Sequence, residues 1–234
     1  MAEKSEQEKA ALDAKKKAKA ELKRKKKLKR WINFFRFVYH ICSIIAPYRR
    51  YGHKKRYDDR EYIFVCNHVS FTDVIPCACA THNGVHFIAK KGLENSKIGK
   101  WFVEKCQCIL VNRDGSDVAA IMKAMRYLKG GESIAVFPEG TRNRTNVILQ
   151  EFKDGAAAIS IMSKTPIVPV VIVRKIKPFH TGRVYYGEPM EFTEFYGKKP
   201  TPEDFKKCDE ALRNRMLEMY HELDDKLNAK KKKK

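Results

Sequence analysis

The sequence predicts an α/β fold, a single domain with a largely parallel central sheet flanked by helices, preceded by an N-terminal helical membrane-interface element. Three observations carry this. From residue 60 onward, short apolar runs rich in β-branched and aromatic residues alternate with longer runs of helical periodicity. Several strand-like runs end in a turn bearing a polar or charged side chain, namely His68, Lys90, Arg113 and Glu139. The 234 residues, 43% of them hydrophobic, also suffice for one sizeable core.

Residues 1–30 are rich in Lys, Ala and Glu and contain neither glycine nor proline, which makes them a basic tail, helical or flexible. The next region, 31–56, is read as an interfacial helical element. Its apolar part, 31–46, holds Phe34, Phe35, Phe37, Val38, Ile41, Ile44 and Ile45, but Arg36 and His40 interrupt it. It falls short of the roughly 20 residues that span a bilayer. It is a poor signal peptide too, because the basic region before it is long and no small-x-small cleavage pattern follows. Basic residues at both ends keep both on the cytoplasmic side. Trp31, Tyr39 and Tyr48 are anchors at headgroup level, and the alternative is a core helix of the soluble domain.

The folded domain is expected over 57–229. Strands are predicted at 61–66, 85–89, 108–112, 133–137, 167–173 and 183–187. Helices are predicted at about 72–81, about 96–105, 117–129 with Ser116 as N-cap, 154–163 and 202–228. The last begins with Thr201 as N-cap, Pro202 in the first turn, and Glu203 and Asp204 at the positive end of the dipole. A poly-Lys tail, 230–234, closes the chain. In parallel sheets ligands gather beyond the carboxyl ends of the strands, so His68, Lys90, Arg113 and Glu139 to Arg142 are expected to line one cleft.

The charge of +21 is uneven. Residues 1–30 carry thirteen Lys/Arg against five Asp/Glu, and residues 31–200 still carry twenty-six against fifteen. Such a chain seeks a polyanion: nucleic acid, anionic lipid, or an acidic carrier with its phosphorylated ligand. The seven cysteines, odd in number and set in apolar runs, read as reduced core residues. Cys77-x-Cys79 and Cys106-x-Cys108 are spaced too closely for structural zinc, and no metal is expected.

Chemistry centres on His68-Val69-Ser70-Phe71-Thr72-Asp73, directly after the run Tyr62 to Cys66. An imidazole at a strand end with a carboxylate five positions on is an inexpensive way to build an oriented general base. The carboxylate holds one ring nitrogen, fixes the tautomer and stabilises the imidazolium that forms. Ser70 and Thr72 read as turn and cap groups, and Cys66 as a buried thiol. A second segment, Phe137-Pro138-Glu139-Gly140-Thr141-Arg142-Asn143-Arg144, follows the run Ser133 to Val136. Gly140 admits close backbone approach, Pro138 fixes the turn, and the arginines offer planar forks to phosphate oxygens.

Together, Asn67-His68 to Asp73, Ile109 to Arg113, Phe137 to Arg142, and Thr165-Pro166-Ile167-Val168-Pro169-Val170-Val171-Ile172 resemble, in type and order, the motifs of the glycerolipid acyltransferases, in particular the lysophosphatidate (1-acyl-glycerol-3-phosphate) acyltransferases. Ala89-Lys90-Lys91 and Gly187-Glu188-Pro189 share the likeness, which covers residues 58 to 195. Two departures stand out. Cys106-Gln107-Cys108 occupies the place where a glycine precedes the Arg113 motif, and Asn143 replaces a small hydroxyl residue.

The resemblance implies acyl transfer from an acyl thioester to the free hydroxyl of 1-acyl-glycerol-3-phosphate, giving phosphatidate. His68 would be the base and Asp73 its orienter. Arg113, Arg142, Lys90 and Thr141 would hold the phosphate, Glu139 the arginines or the glycerol hydroxyl, and amides near Gly140 or after Asp73 the oxyanion. Val168 and Val170 would wall the acyl path. No bound cofactor is implied; the cosubstrate is acyl-CoA or acyl-carrier protein, the latter an acidic partner. The expected location is the cytoplasmic face of an anionic membrane, peripheral or monotopic. The alternatives are glycerol-3-phosphate or another lysophospholipid as acceptor, or a basic nucleic-acid-binding protein. Aromatics clustered at 31–51, rather than interleaved with basic residues on a nucleic-acid motif, favour the membrane.

Overall fold

The computed structural model describes residues 15–232, apart from 17, 21, 24, 25, 27, 35, 36, 38–40, 42, 43, 113–116 and 154. The chain divides into two compact units, Met1–Val38 and Tyr39–Lys234. In the first, the described residues up to 34, and 37, are helical, and in the second 41, 44 and 45 are helical as well. None of the described helices is long and apolar enough to cross a membrane.

The second unit holds a sheet of seven strands: β1 (Tyr48–Gly52), β2 (Ile63–Cys66), β3 (Val85–Lys90), β4 (Ile109–Val111), β5 (Ser133–Val136), β6 (Ile167–Arg174) and β7 (Gly182–Tyr186). Their order is β1-β7-β6-β2-β5-β3-β4. Every pairing is parallel except β6 with β7. All residues of β2 and β5 and nearly all of β6 are buried, which is why these strands read as continuous apolar runs rather than alternating ones.

Six strands lie where the sequence places them, but β1 corrects the expectation that 31–56 is helical throughout. Tyr-Arg-Arg-Tyr-Gly carries no strong strand signal by itself. What makes it a strand is β7, with Tyr48 in register with Gly182 and Gly52 with Tyr186. Gly52, at φ 72°, is required there, because a Cβ would stand 2.2 Å from the Tyr186 carbonyl oxygen.

The helices are α1 (Val74–Ala78), α2 (Lys97–Lys105), α3 (Val118–Lys129), α4 (Ala156–Ser163) and α5 (Pro202–Lys232). On one face of the sheet, Ile63, Val65, Ile134, Ile167 and Val171 join a core with Leu128, Ile159, Leu212 and Met216 from α3, α4 and α5. On the other, the Tyr57 ring meets Phe64 edge-on at 5.7 Å, and its hydroxyl donates to the Gly187 carbonyl at 2.6 Å. Three expectations about helix ends change. Ser116 lies outside the described residues, and the α3 cap is Asp117, whose carboxylate accepts the Ala120 amide at 3.1 Å. α1 is shorter than 72–81, its first turn being a separate 3-10 turn, Phe71–Asp73. α5 continues through Lys230, Lys231 and Lys232, so these belong to the helix, where cations suit the negative dipole end. Its start has the expected cap, with the Asp204 amide donating to Thr201 Oγ1 at 3.3 Å and the Thr201 amide to Asp204 Oδ2 at 2.9 Å.

Asn67 extends β2 by side chain. Its amide nitrogen donates to the Ile172 carbonyl at 3.2 Å, and its amide oxygen accepts the Ile172 N–H at 2.7 Å, so it replaces one rung of the ladder to β6. Asn67→Ala would strand two buried backbone groups, at roughly 1–3 kcal/mol each before any relaxation. The expected result is a loss of about 2–4 kcal/mol, read as a lower denaturant midpoint at unchanged slope.

Candidate active site

β2 ends at Cys66, and the chain turns over the carboxyl edge of the sheet with His68 at its lip. His68 Nδ1 lies 3.0 Å from Asp73 Oδ2. The same oxygen accepts the amides of Val69 and Ser70, each at 2.6 Å, and the Asp73 side chain is 0% exposed against 20% for His68. An oxygen already receiving two N–H groups acts as an acceptor, so Nδ1 carries the proton. Nε2 then keeps its lone pair, on a side chain that is partly exposed. The expected pairing therefore stands in the structure, with Asp73 also holding the turn through which it reaches back.

The second motif clamps His68 from the other side. Glu139 Oε1 accepts the His68 amide at 2.8 Å, its Oε2 accepts the Gln150 amide at 3.2 Å, and the Asn143 amide donates to the His68 carbonyl at 2.6 Å. Both backbone groups of His68 are thus fixed by residues that follow β5. The Phe137 ring stacks on the imidazole at 4.3 Å and 25°. Glu139 was expected to hold arginines or a glycerol hydroxyl; its oxygens are instead committed to backbone amides. Burial pushes its carboxyl above the usual range, against the lowering effect of those two amides. Asn143, the departure in the motif, is buried and accepts the Thr145 amide and hydroxyl while donating to the Val147 carbonyl at 2.8 Å, which shapes the loop.

Around this centre, Gly140 takes φ 65°, and its amide donates to the Phe137 carbonyl at 3.0 Å. The amides of Val69, Ser70 and Gly140 are therefore already engaged in turns. Thr141 and Arg142 follow Gly140 into solvent, and Lys90 is exposed at the end of β3, the neighbour of β5. Arg113 lies outside the described residues, although β4, which leads to it, ends at the same edge. Val168 and Val170 are fully buried in β6 between β2 and β7, so they are core residues and not the walls of an open acyl path. Phe71, within the same turn, is exposed, and Phe102 of α2 lies 6.1 Å from it; Ile98 and Trp101, also on α2, are exposed as well.

Lys153 carries no motif signal in the sequence. Its Cδ lies 3.0 Å from where a Gly140 Cβ would be, and its amide donates to the Pro138 carbonyl at 2.8 Å, so its stem is laid across the turn. The only sequence signal was a lysine after the aromatic Phe152, which no spacing rule selects.

A second His–carboxylate pair differs from the first in its burial. His86 Nε2 lies 2.9 Å from Glu132, its Nδ1 lies 3.3 Å from the Cys106 carbonyl, and the Tyr127 ring is stacked on it at 3.7 Å. Both nitrogens are occupied and the side chain is fully buried, leaving no lone pair to a substrate. Cys66 is excluded as nucleophile on similar grounds, since burial pushes its thiol well above the ordinary range. Ser70 and Thr72 are spent on the turn: the Thr72 hydroxyl donates to the Ile176 carbonyl at 2.9 Å, and Ser70 Oγ lies 3.1 Å from Thr72 Oγ1.

A histidine paired with a buried aspartate at the carboxyl edge of the sheet, in a turn followed by exposed cationic and hydroxyl side chains, is an arrangement that can take a proton from a hydroxyl. Comparison with known proteins identifies the family. Residues 48–173 match the family described as Acyltransferase. A 1-acyl-sn-glycerol-3-phosphate acyltransferase of Bacillus subtilis is 30% identical over 191 residues, 79% of this chain and 94% of that protein. One from Streptococcus pneumoniae is 28% identical over 71% of this chain and 62% of its own length. The crystal structure of a 1-acyl-sn-glycerophosphate acyltransferase from Thermotoga maritima shares the fold, with a TM-score of 0.59 at 24% identity over 84% of this chain and 79% of that one. The chain belongs to the acyltransferase family.

Proposed function

We propose that the enzyme transfers an acyl group from an acyl thioester to the free hydroxyl of 1-acyl-glycerol-3-phosphate, forming phosphatidate in phospholipid synthesis. The observation that carries this is the His68–Asp73 pair, Nδ1 to Oδ2 at 3.0 Å, with Nε2 on a partly exposed side chain. Nε2 takes the proton of the acceptor hydroxyl as its oxygen attacks the thioester carbonyl. The C–S bond then breaks, and the imidazolium returns the proton to the departing thiolate. Asp73 stabilises that imidazolium. The reading calls for no metal and no bound cofactor; the thioester, on coenzyme A or on an acyl-carrier protein, is a cosubstrate. The acceptor phosphate is held by Arg142, Thr141, Lys90 and Arg113, with Lys153 added by its place over Gly140. Work on a lipid acceptor puts the enzyme at an anionic membrane surface, peripheral or monotopic, on the cytoplasmic face. The charge of +21 supports that placement.

Purified full-length protein incubated with lysophosphatidate, its dephosphorylated analogue and glycerol-3-phosphate, each with both donors, tests the reading by product mass. Phosphatidate is the expected main product; acylation of the dephosphorylated analogue as fast as of lysophosphatidate would overturn it. In the same panel Arg142→Ala should lower kcat/KM for the acceptor by about 10- to 100-fold, the size of one charged hydrogen bond, and leave donor saturation unchanged. Arg142→Lys should recover only part, lacking the planar fork. An equal loss on phosphorylated and dephosphorylated acceptors would remove Arg142 from phosphate binding.

A further inference from the structure

We infer that the turn between β6 and β7, residues 175–181, together with Ile44 and Ile45, is a membrane-insertion point that sets the mouth of the catalytic cleft against an anionic bilayer. The inference rests on the proposed lipid acceptor and adds to it a named contact surface.

Phe179 is 85% exposed and Ile44 79%, among the most exposed large apolar side chains described. They are neighbours: the Phe179 amide donates to the Ile45 carbonyl at 2.7 Å, and the Gly182 amide to the Pro47 carbonyl at 2.8 Å, which continues the β1–β7 pairing outward. Phe179 also sits at φ 61°, a left-handed conformation that glycine or asparagine adopts at less cost. The turn closes tightly, with the His180 amide on the Lys177 carbonyl at 3.1 Å, so the ring is held out into solvent by a backbone that a phenylalanine does not favour. Folding alone gives no reason for that choice.

The surrounding charge identifies the occupant. Lys175, Lys177 and His180 are exposed on the same turn, Arg49 is exposed on β1, and the sequence has no Asp or Glu from 155 to 187 or from 39 to 57. Arg174, which leads into the turn, is paired with Asp224 of α5, but the turn and the 39–57 stretch carry no acid of their own, and an apolar tip with such a cationic rim suits the headgroup and upper acyl region of an anionic bilayer. The turn is also fastened to the catalytic motif. The Thr72 hydroxyl donates to the Ile176 carbonyl at 2.9 Å, three residues before Phe179, and Asn67 holds Ile172 further back on β6. Insertion of Phe179 therefore brings the His68 turn to the lipid surface, where a two-tailed product must leave and a one-tailed acceptor must enter.

Phe179→Gly is the test variant, since glycine accepts φ 61° and the fold is retained while the ring is lost. Partition of the full-length protein into phosphatidylglycerol vesicles at high salt, measured by sedimentation, should fall by about 10- to 100-fold, the equivalent of one fully transferred phenylalanine side chain. Phe179→Trp should gain fluorescence quenching by brominated lipid beyond that of the parent's own Trp31 and Trp101. Turnover of Phe179→Gly on a short-chain, water-soluble acceptor should equal the parent's. Unchanged partition or no added quenching would overturn the proposal. So would a dimer that Phe179→Gly dissociates, which would show a second copy covering the patch. Failure of the parent to acylate the soluble acceptor would count against the proposed reaction instead, and the vesicle measurements would still decide the insertion point.

Discussion

Asp73→Asn should lower turnover by about 10²- to 10⁴-fold, as should His68→Ala, with far-UV circular dichroism unchanged in both. The two variants act at different points. Removing the imidazole deletes the base. Asparagine keeps the shape of Asp73, and its carbonyl oxygen can still accept from Val69, Ser70 and His68 Nδ1, so the turn and the tautomer survive. What disappears is the negative charge facing the imidazolium as the hydroxyl proton arrives, in a site where the carboxylate has no exposed surface and solvent screens little. Asp73→Ala is the poorer probe, because it also strands two amides and costs stability. Rapid mixing with excess thioester and no acceptor should show no acyl-enzyme. Turnover by folded Asp73→Asn within about tenfold of the parent would mean that electrostatic stabilisation of the imidazolium is not part of the mechanism.

The sheet and the His68–Asp73 pairing were legible in the sequence because their signals are local. Ile63 to Cys66, Ser133 to Val136 and Ile167 to Val173 are runs that only a strand buried on both faces needs. His68 and Asp73 lie within one turn of each other, so spacing alone brings them together. β1 was not legible, since Tyr48 to Gly52 becomes a strand only through β7, more than a hundred residues away. The role of Glu139 was also hidden. A carboxylate beside arginines in sequence invites an ion pair, whereas the partners it finds are main-chain amides, which no side-chain pattern reports. Val168 and Val170 carried an apolar signal that fits a channel wall and a sheet core equally, and sheet order decided for the core. Arg113 rests on the motif alone, being outside the described residues.

Glu139→Gln should reduce kcat/KM by about 10²-fold although the residue need never touch substrate. A carboxylate offers an acceptor on each oxygen, and here one serves the His68 amide and the other the Gln150 amide. Glutamine offers one acceptor and one N–H₂ donor, so whichever way it lies, one of the two amides faces another donor. If His68 loses its partner the imidazole shifts relative to Asp73; if Gln150 does, the loop carrying Lys153 moves off Gly140. Either displacement spoils an arrangement that depends on fractions of an ångström. The pH dependence of stability separates this role from substrate binding. Burial raises the Glu139 carboxyl, so the folded state favours its protonated form more than the unfolded chain does. That contribution is fully present below the ordinary carboxylate range and is lost as pH rises through the raised value. The parent's denaturant midpoint should therefore carry a downward step just above the ordinary range, and Glu139→Gln should lack it while losing activity at every pH. A variant that kept full activity would free Glu139 of any positioning role and leave the Asn143 amide as the clamp on His68 from the β5 loop.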